Sequence, residues 1–325
     1  METKKGFNFF GRNVIIEKSY KIGPIYGLTI VISVKQTFGN ELMDEYHLLH
    51  TIDNAEHIGS APNIAIALAD AINDQNFNSA KAAYYINMDP TIAALILKVS
   101  NSAYYSRGQQ IKTVQQAITH LGLETVKKLV FAIEMIGKYR SDYPYTSFDY
   151  PLFWKNIIAV AMLADAIAVF SNFPDPDSSY LAGLLSNIGL LFMRQYYPYL
   201  FKQVLDNCKR NEVSFAKSAD SIWFYDHKFL SYLIGIRWGL PDRVIFGFKE
   251  CLRSKDALVP HVYNHVYMAE SILHMKHHAV WDMYFEPCDE KLFAQYHLDK
   301  PVIDRLANDI IEHVSDISVK LFEHA

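Results

Sequence analysis

The chain has 325 residues, half of them hydrophobic and 14 % aromatic, with a formal charge of −4. A chain this apolar can offset the entropy of ordering, which excludes an intrinsically disordered protein, and 325 residues suffice for two domains or one elongated body with a sizeable core. The mild negative balance gives no general attraction to nucleic acid or anionic lipid, and no run of Lys and Arg supplies a local one.

Residues 1–42 differ in pattern from the remainder of the chain. Val14-Ile15-Ile16 and Leu28-Thr29-Ile30-Val31-Ile32-Ser33-Val34 are β-branched and partly alternating, with Gly23-Pro24 and Gly27 between them. This predicts a small β hairpin, the alternative being an extended arm packed on helices. No apolar stretch near the start is long enough for a signal-peptide core, and no membrane span is expected because Lys, Asp or Arg interrupt the longest apolar runs. Cys208, Cys251 and Cys288 are far apart and form no CxxC pair, a usage that suits a reducing compartment, so the cytoplasm is the expected location.

From residue 43 onward the pattern is helical. Asp89-Pro90 pairs a capping carboxylate with a proline where no N–H is needed, and Ile92, Leu95, Ile96 and Val99 then recur on one face. Thr113 and Gln116 form a capping-box pattern ahead of Val114, Ala117, Ile118 and Leu121, and Gly122 fits the stop. Val126, Leu129, Val130, Ile133 and Ile136 make a third stripe. Tyr139 to Asp149 is the most linker-like stretch, so a boundary is placed near 145, dividing a helical subdomain over 43–145 from a second over 146–325. In the second, Asp177 is expected to cap the helix carrying Leu181 and Leu184, and Asp226 another that ends at Gly239. From Pro301 the apolar positions Val302, Leu306, Ile310, Val314, Ile317 and Leu321 alternate with charges in an amphipathic helix; it docks on its own core or serves self-association.

Three segments together carry a resemblance. They are Met88-Asp89-Pro90 running to Asn101-Ser102-Ala103-Tyr104-Tyr105; Phe153-Trp154-Lys155-Asn156 followed by Leu181-Ala182-Gly183-Leu184-Leu185-Ser186-Asn187-Ile188-Gly189; and Tyr225-Asp226-His227 leading to Arg237-Trp238-Gly239-Leu240-Pro241. In this order, over about residues 56–255, the chain resembles the HD-related output domain (HDOD) family, a signalling relative of the HD metal-dependent phosphohydrolases. The resemblance implies an all-α, HD-like multi-helix scaffold, here with a small β-rich N-terminal extension.

The HD enzymes bind one or two metal ions through His and Asp residues on several helices. The matching positions here are Asn156, Ser186-Asn187 and Glu270, with His227 as a further relic. One carboxylate among neutral side chains is a poor metal site, so these are read as vestigial: no catalytic residue, no bound metal and no cofactor are expected. His261 and His265, four apart, with His274, His277 and His278 beyond them, offer a metal face or, alternatively, a solvated histidine-rich helix. Asn101, Ser102, Tyr104, Tyr105 and Arg107 stand at a helix end, where they build a turn or contact a partner.

The resemblance implies a regulatory module that binds unidentified signalling proteins without turnover. Two alternatives stay open. One is a divergent metal-dependent phosphohydrolase rebuilt around Glu270, His227 and the later histidines. The other is a sensor that binds a small nucleotide without cleaving it.

Overall fold

The computed structural model describes residues 6–9, 12–15, 45–55, 63–64, 68, 78–138, 148–223, 225–248, 259–278 and 285–322. They belong to two compact units, residues 1–59 and 60–325. In the first unit, β1 (Gly6–Phe9) and β2 (Arg12–Ile15) pair antiparallel with Gly6 opposite Ile15 and Phe9 opposite Arg12. Val14 and Ile15 fall in β2. The expected strand over 28–34 lies outside the described residues. Helix α1 (Glu45–Asn54) completes the described part of this unit.

The second unit begins with α2 (Ser79–Asn87), α3 (Pro90–Ser100), α4 (Ala103–Ser106), α5 (Val114–Leu121) and α6 (Leu123–Lys138). It continues through α7 (Tyr150–Phe170), α8 (Pro176–Leu185), α9 (Ile188–Tyr196), α10 (Pro198–Asn211), α11 (Phe215–Trp223) and α12 (His227–Arg237). The last four are α13 (Asp242–Phe246), α14 (Val259–Met275), α15 (Glu290–Gln295) and α16 (Lys300–Phe322). The fold is all-α in this unit. Residue 145 lies outside the described residues, and the helices on both sides of it belong to one compact unit.

The capping chemistry explains several starts. Asp89 accepts from the amides of Thr91 and Ile92 at 2.8 and 3.1 Å, with Pro90 in the first turn of α3. Thr113 accepts from Gln116 N at 3.1 Å, while the Gln116 side chain reaches Lys112 N at 2.9 Å, one residue before the position a capping box prescribes. The cap of α8 is Asp175, which accepts from Ser178 N, and not Asp177. Pro176 takes the first helical position, so the cap must precede it. Asp177 instead meets Lys128 of α6 at 2.8 Å, and Lys128 also meets Asp165 of α7 at 2.7 Å, tying three helices.

Helix α7 is the centre of the second unit, packed on α8, α14 and α16. Twelve of its side chains are buried. Among the described residues it is the one helix long and apolar enough to cross a membrane, but 67 % of its apolar window is buried in protein, as a core helix requires. Its approach to α8 is close at Gly183, where a Cβ would lie 2.8 Å from Ala161 Cα. The amphipathic tail helix α16 packs on α3, α4 and α7, burying Ala307, Ile310, Val314 and Ile317. Of the expected apolar stripe, Ile310, Val314 and Ile317 are taken up by the chain's own helices, while Val302, Leu306 and Leu321 are half-buried.

Candidate functional site

Four parts of the second unit converge on one place: α7, the α8–α9 junction, the first turn of α12, and α14. The convergence is set by backbone proximity. At Gly189, the second residue of α9, a Cβ would lie 2.1 Å from the His227 carbonyl oxygen and 2.7 Å from Ser231 N. Only glycine lets α9 and α12 meet there. Ser231 then stitches the contact: its Oγ accepts from Gly189 N at 2.9 Å and lies 2.8 Å from the Ser186 carbonyl oxygen. Asp226 caps α12 by accepting from Phe229 N at 2.8 Å, which fixes the turn bearing His227 and Lys228.

The result is a cavity of about 210 Å³ lined by Asn156, His227, Lys228, Glu270 and the rings of Tyr263 and Tyr267. The two tyrosines stack at 5.8 Å along α14. The Glu270 side chain is 13 % exposed, and its Oε1 accepts from Asn187 Nδ2 at 3.0 Å and from Lys228 Nζ at 2.5 Å. Asn156 Nδ2 donates to the His278 carbonyl at 2.9 Å. His227 is buried edge-on against Phe215, with ring centroids 5.2 Å apart.

The positions expected from the sequence thus gather as a group. Asn156, His227 and Glu270 line the cavity, and Asn187 touches it through Glu270. Ser186 is fully buried behind it, with Oγ 3.3 Å from the Gly183 carbonyl. Lys228 is an addition that sequence reasoning misses. Its one signal is a cation in the first turn of a helix, the end at which the macrodipole disfavours positive charge, beside a site histidine.

A divalent ion does not fit this donor set. Glu270 and Glu286 are the carboxylates that line the cavity; Glu270 Oε1 is held by the Lys228 ammonium and the Asn187 amide N–H, and Glu286 pairs with Lys217. Asn187 Oδ1 is buried and without a hydrogen-bond partner among the described residues. Two carboxylates, each paired with a lysine, fall short of the roughly four to eight ligands that zinc or calcium takes. Among the described residues there is no group of three or more His, Cys, Asp or Glu placed to hold a metal.

Of the later histidines, His265 is buried, whereas His261 and His277 are exposed. His265 is fully buried, with Nδ1 2.8 Å from Ser179 Oγ and Nε2 3.4 Å from Ser171 Oγ. Burial, helped by the neighbouring His261, pushes its imidazole down to about 3, so it stays neutral. His261 turns to the Tyr296 hydroxyl at 2.9 Å. His265 is drawn into packing because α14 is covered on several sides, by α7, α8, α13 and α16, while His261 stays exposed. Cys251 lies outside the described residues; Cys208 and Cys288 are buried thiols, and burial raises the latter.

The helix end after α3 is mostly a built turn. Asn101 Nδ2 lies within bonding distance of the Leu97 and Ile111 carbonyls, at 2.8 and 2.7 Å, and its Oδ1 accepts from Ile111 N at 2.9 Å. Ser102 is fully buried, and burial lifts the Tyr105 hydroxyl well above its ordinary value. Tyr104 is 37 % exposed, with its ring centroid 3.9 Å from that of His313 on α16. Arg107 is exposed in a left-handed conformation at φ +47°.

Comparison with known proteins agrees with this architecture. A family model described as "HDOD domain" matches residues 58–250. The uncharacterized protein YuxH of Bacillus subtilis is 25 % identical over 191 residues, which is 59 % of this chain and 43 % of YuxH, so the chain spans less than half of that relative's length. Three solved structures share the fold. An HDOD domain protein of unknown function from Geobacter sulfurreducens has a TM-score of 0.69 at 19 % identity, covering 85 % of this chain and 97 % of that one. A candidate signal transduction protein from Marinobacter aquaeolei VT8 has 0.65 at 18 %, covering 80 % and 59 %. A candidate phosphohydrolase from Shewanella amazonensis SB2B has 0.61 at 17 %, covering 84 % and 97 %.

Proposed function

The chain belongs to the HDOD domain family, and we propose that it is a non-catalytic, cytoplasmic signal-transduction module that works by binding protein partners. The observation carrying this reading is the state of Glu270. Its carboxylate is bound by Lys228 and Asn187, and Asn156 is committed to a backbone carbonyl. Polar groups that in a hydrolase would face metal and phosphate are here engaged by protein groups, within a frame held by the close Gly183 and Gly189 approaches. The name of the Marinobacter relative lies in the same direction.

The surface assigned to partners is the exposed rim of the turn after α3, at Tyr104 and Arg107. Aromatic and Arg side chains commonly dominate interface energies. Binding is tested by capture from the native cell, comparing variants whose circular dichroism matches the parent chain. Asn156→Ala and Ser186→Ala leave capture of the partner within a few fold. Truncating an anchor at Tyr104 or Arg107 weakens it by about 2 kcal/mol, roughly thirtyfold. Hydrolysis of cyclic dinucleotides or phosphodiesters with added Mn²⁺ or Mg²⁺ would sink the non-catalytic reading. Pocket changes that abolish capture while the rim changes do nothing would sink the surface assignment.

The cavity itself favours one second reading, a sensor that binds a small nucleotide without cleaving it. Tyr263 and Tyr267 offer ring faces beside the Lys228–Glu270 pair. A thermal-shift panel of nucleotides reads this directly, because a ligand that binds only the native state raises the melting temperature.

A further inference from the structure

We propose that Lys228 is a tethered cation: its Nζ fills the position at Glu270 where the site requires a positive ion, so the chain supplies that charge itself. The inference deepens the module reading and rests on its premise that the cavity is no metal centre.

A carboxylate as enclosed as Glu270, whose side chain is 13 % exposed, needs a compensating charge or must lose its own. Lys228 provides it from a side chain that is itself 15 % exposed. Its position is unfavourable for a lysine on local grounds, since the first turn of α12 presents the positive end of the helix dipole. The attraction that outweighs this is across the fold, to α14. The backbone under Lys228 is held by the Asp226 cap and by the Gly189 contact with the His227 carbonyl, so Nζ is delivered by a rigid support. Asn187 binds the same Glu270 oxygen, completing a carboxylate clamped between an amide and an ammonium. The consequence is functional: a frame related to metal enzymes stands without a metal, and its folding does not depend on divalent-ion supply.

The test is rescue by a free cation. Lys228→Ala removes the ammonium and leaves its volume beside the 210 Å³ cavity, open to a small organic cation such as propylammonium or methylammonium. In low salt the variant is expected to melt several degrees below the parent chain. Millimolar propylammonium chloride or methylammonium chloride restores at least half of that loss, whereas sodium chloride at equal ionic strength does not, and the parent chain responds to none of them. The double variant Lys228→Ala/Glu270→Gln has no charge to balance, so it melts above the single variant and gains nothing from either cation. If Lys228→Ala does not fold alone, refolding yield with and without propylammonium gives the same readout. A single variant that melts like the parent, a loss no cation restores, or a double variant that still needs the cation overturns the proposal. No partner or phosphate ester enters the experiment, so its failure is separate from failure of the interaction-module reading.

Discussion

Of the polar side chains that helix α14 turns inward, His265 and Glu270 are accommodated by opposite means. His265 remains neutral: it is fully buried, bonded to serine hydroxyls, and burial holds its imidazole near 3. Glu270 meets an ammonium and an amide brought from α12 and the α8–α9 junction. An imidazole can become uncharged at small cost near neutral pH, because its ordinary value lies there. A carboxylate is far from that point, so importing a counter-charge is the less costly course. The contrast separates a polar group neutralised where it is buried from one balanced by a charge brought across the fold.

Acid should break the first arrangement. A histidine whose folded value is about 3 and whose unfolded value is about 6.5 binds its proton more readily when unfolded. Its contribution is therefore complete above pH 6.5 and is lost as pH falls from there toward 3, with a ceiling of about 5 kcal/mol. Urea unfolding at stepped pH would show this as a slope between pH 6.5 and 3. His265→Gln should lack that part of the slope, since glutamine has no proton to take up. Parallel slopes in the two proteins would mean that His265 is protonated or accessible in the native state.

The second arrangement should be broken by removing one partner. Glu270→Gln strands the Lys228 ammonium in a largely enclosed position, at an expected cost of about 3 kcal/mol in denaturant unfolding at neutral pH. A variant as stable as the parent would show that Lys228 escapes to solvent, and the contrast with His265 would then dissolve.

Much of this frame is legible in the sequence because it is locally encoded. The Asp89-Pro90 start, the Thr113 cap and the Asp226 cap each act within one helical turn. The positions Asn156, Asn187, His227 and Glu270 are marked by resemblance, and the fold brings them together. What the sequence hides is reach. Lys228 in a first turn reads as solvated, and nothing local shows that it crosses to Glu270 on another helix. His265 reads as one of a surface row, since periodicity does not say how many neighbours cover a helix. Asp177 has the right chemistry for a cap, yet Pro176 moves the cap to Asp175 and leaves Asp177 for Lys128.

Nearer the surface the same contrast recurs on a smaller scale. Asn101 is a neutral side chain that closes the loop to Ile111 through the amide and carbonyl of that residue. Asn101→Ala leaves part-buried backbone groups unpaired and should cost about 2 kcal/mol by thermal or denaturant unfolding. Less than about 0.5 kcal/mol would mean that water replaces the side chain, and a neutral clamp would then count for little outside the core.

The smallest effect expected is at Asp316, the charged counterpart. Its carboxylate accepts from Ala103 N at 2.7 Å, acting as a cap for α4 delivered from the tail helix. Helix α4 is one turn long with no capping bond from its own Ser102 side chain, so the distant carboxylate takes the role a local cap has elsewhere. The site is exposed, and solvent offers the amide an alternative, which limits the cost of Asp316→Ala to about 1 kcal/mol. Global unfolding is a blunt measure of so small a change. Amide exchange at Ala103 should quicken, and the Tyr104 ring should lose its contact with His313 on the same helix as Asp316. If the turn is the partner surface, Asp316→Ala should also weaken partner capture while Asp316→Asn, which keeps an acceptor oxygen, weakens it less. Unchanged exchange at Ala103 in the alanine variant would show that the tail rests on the turn without organising it.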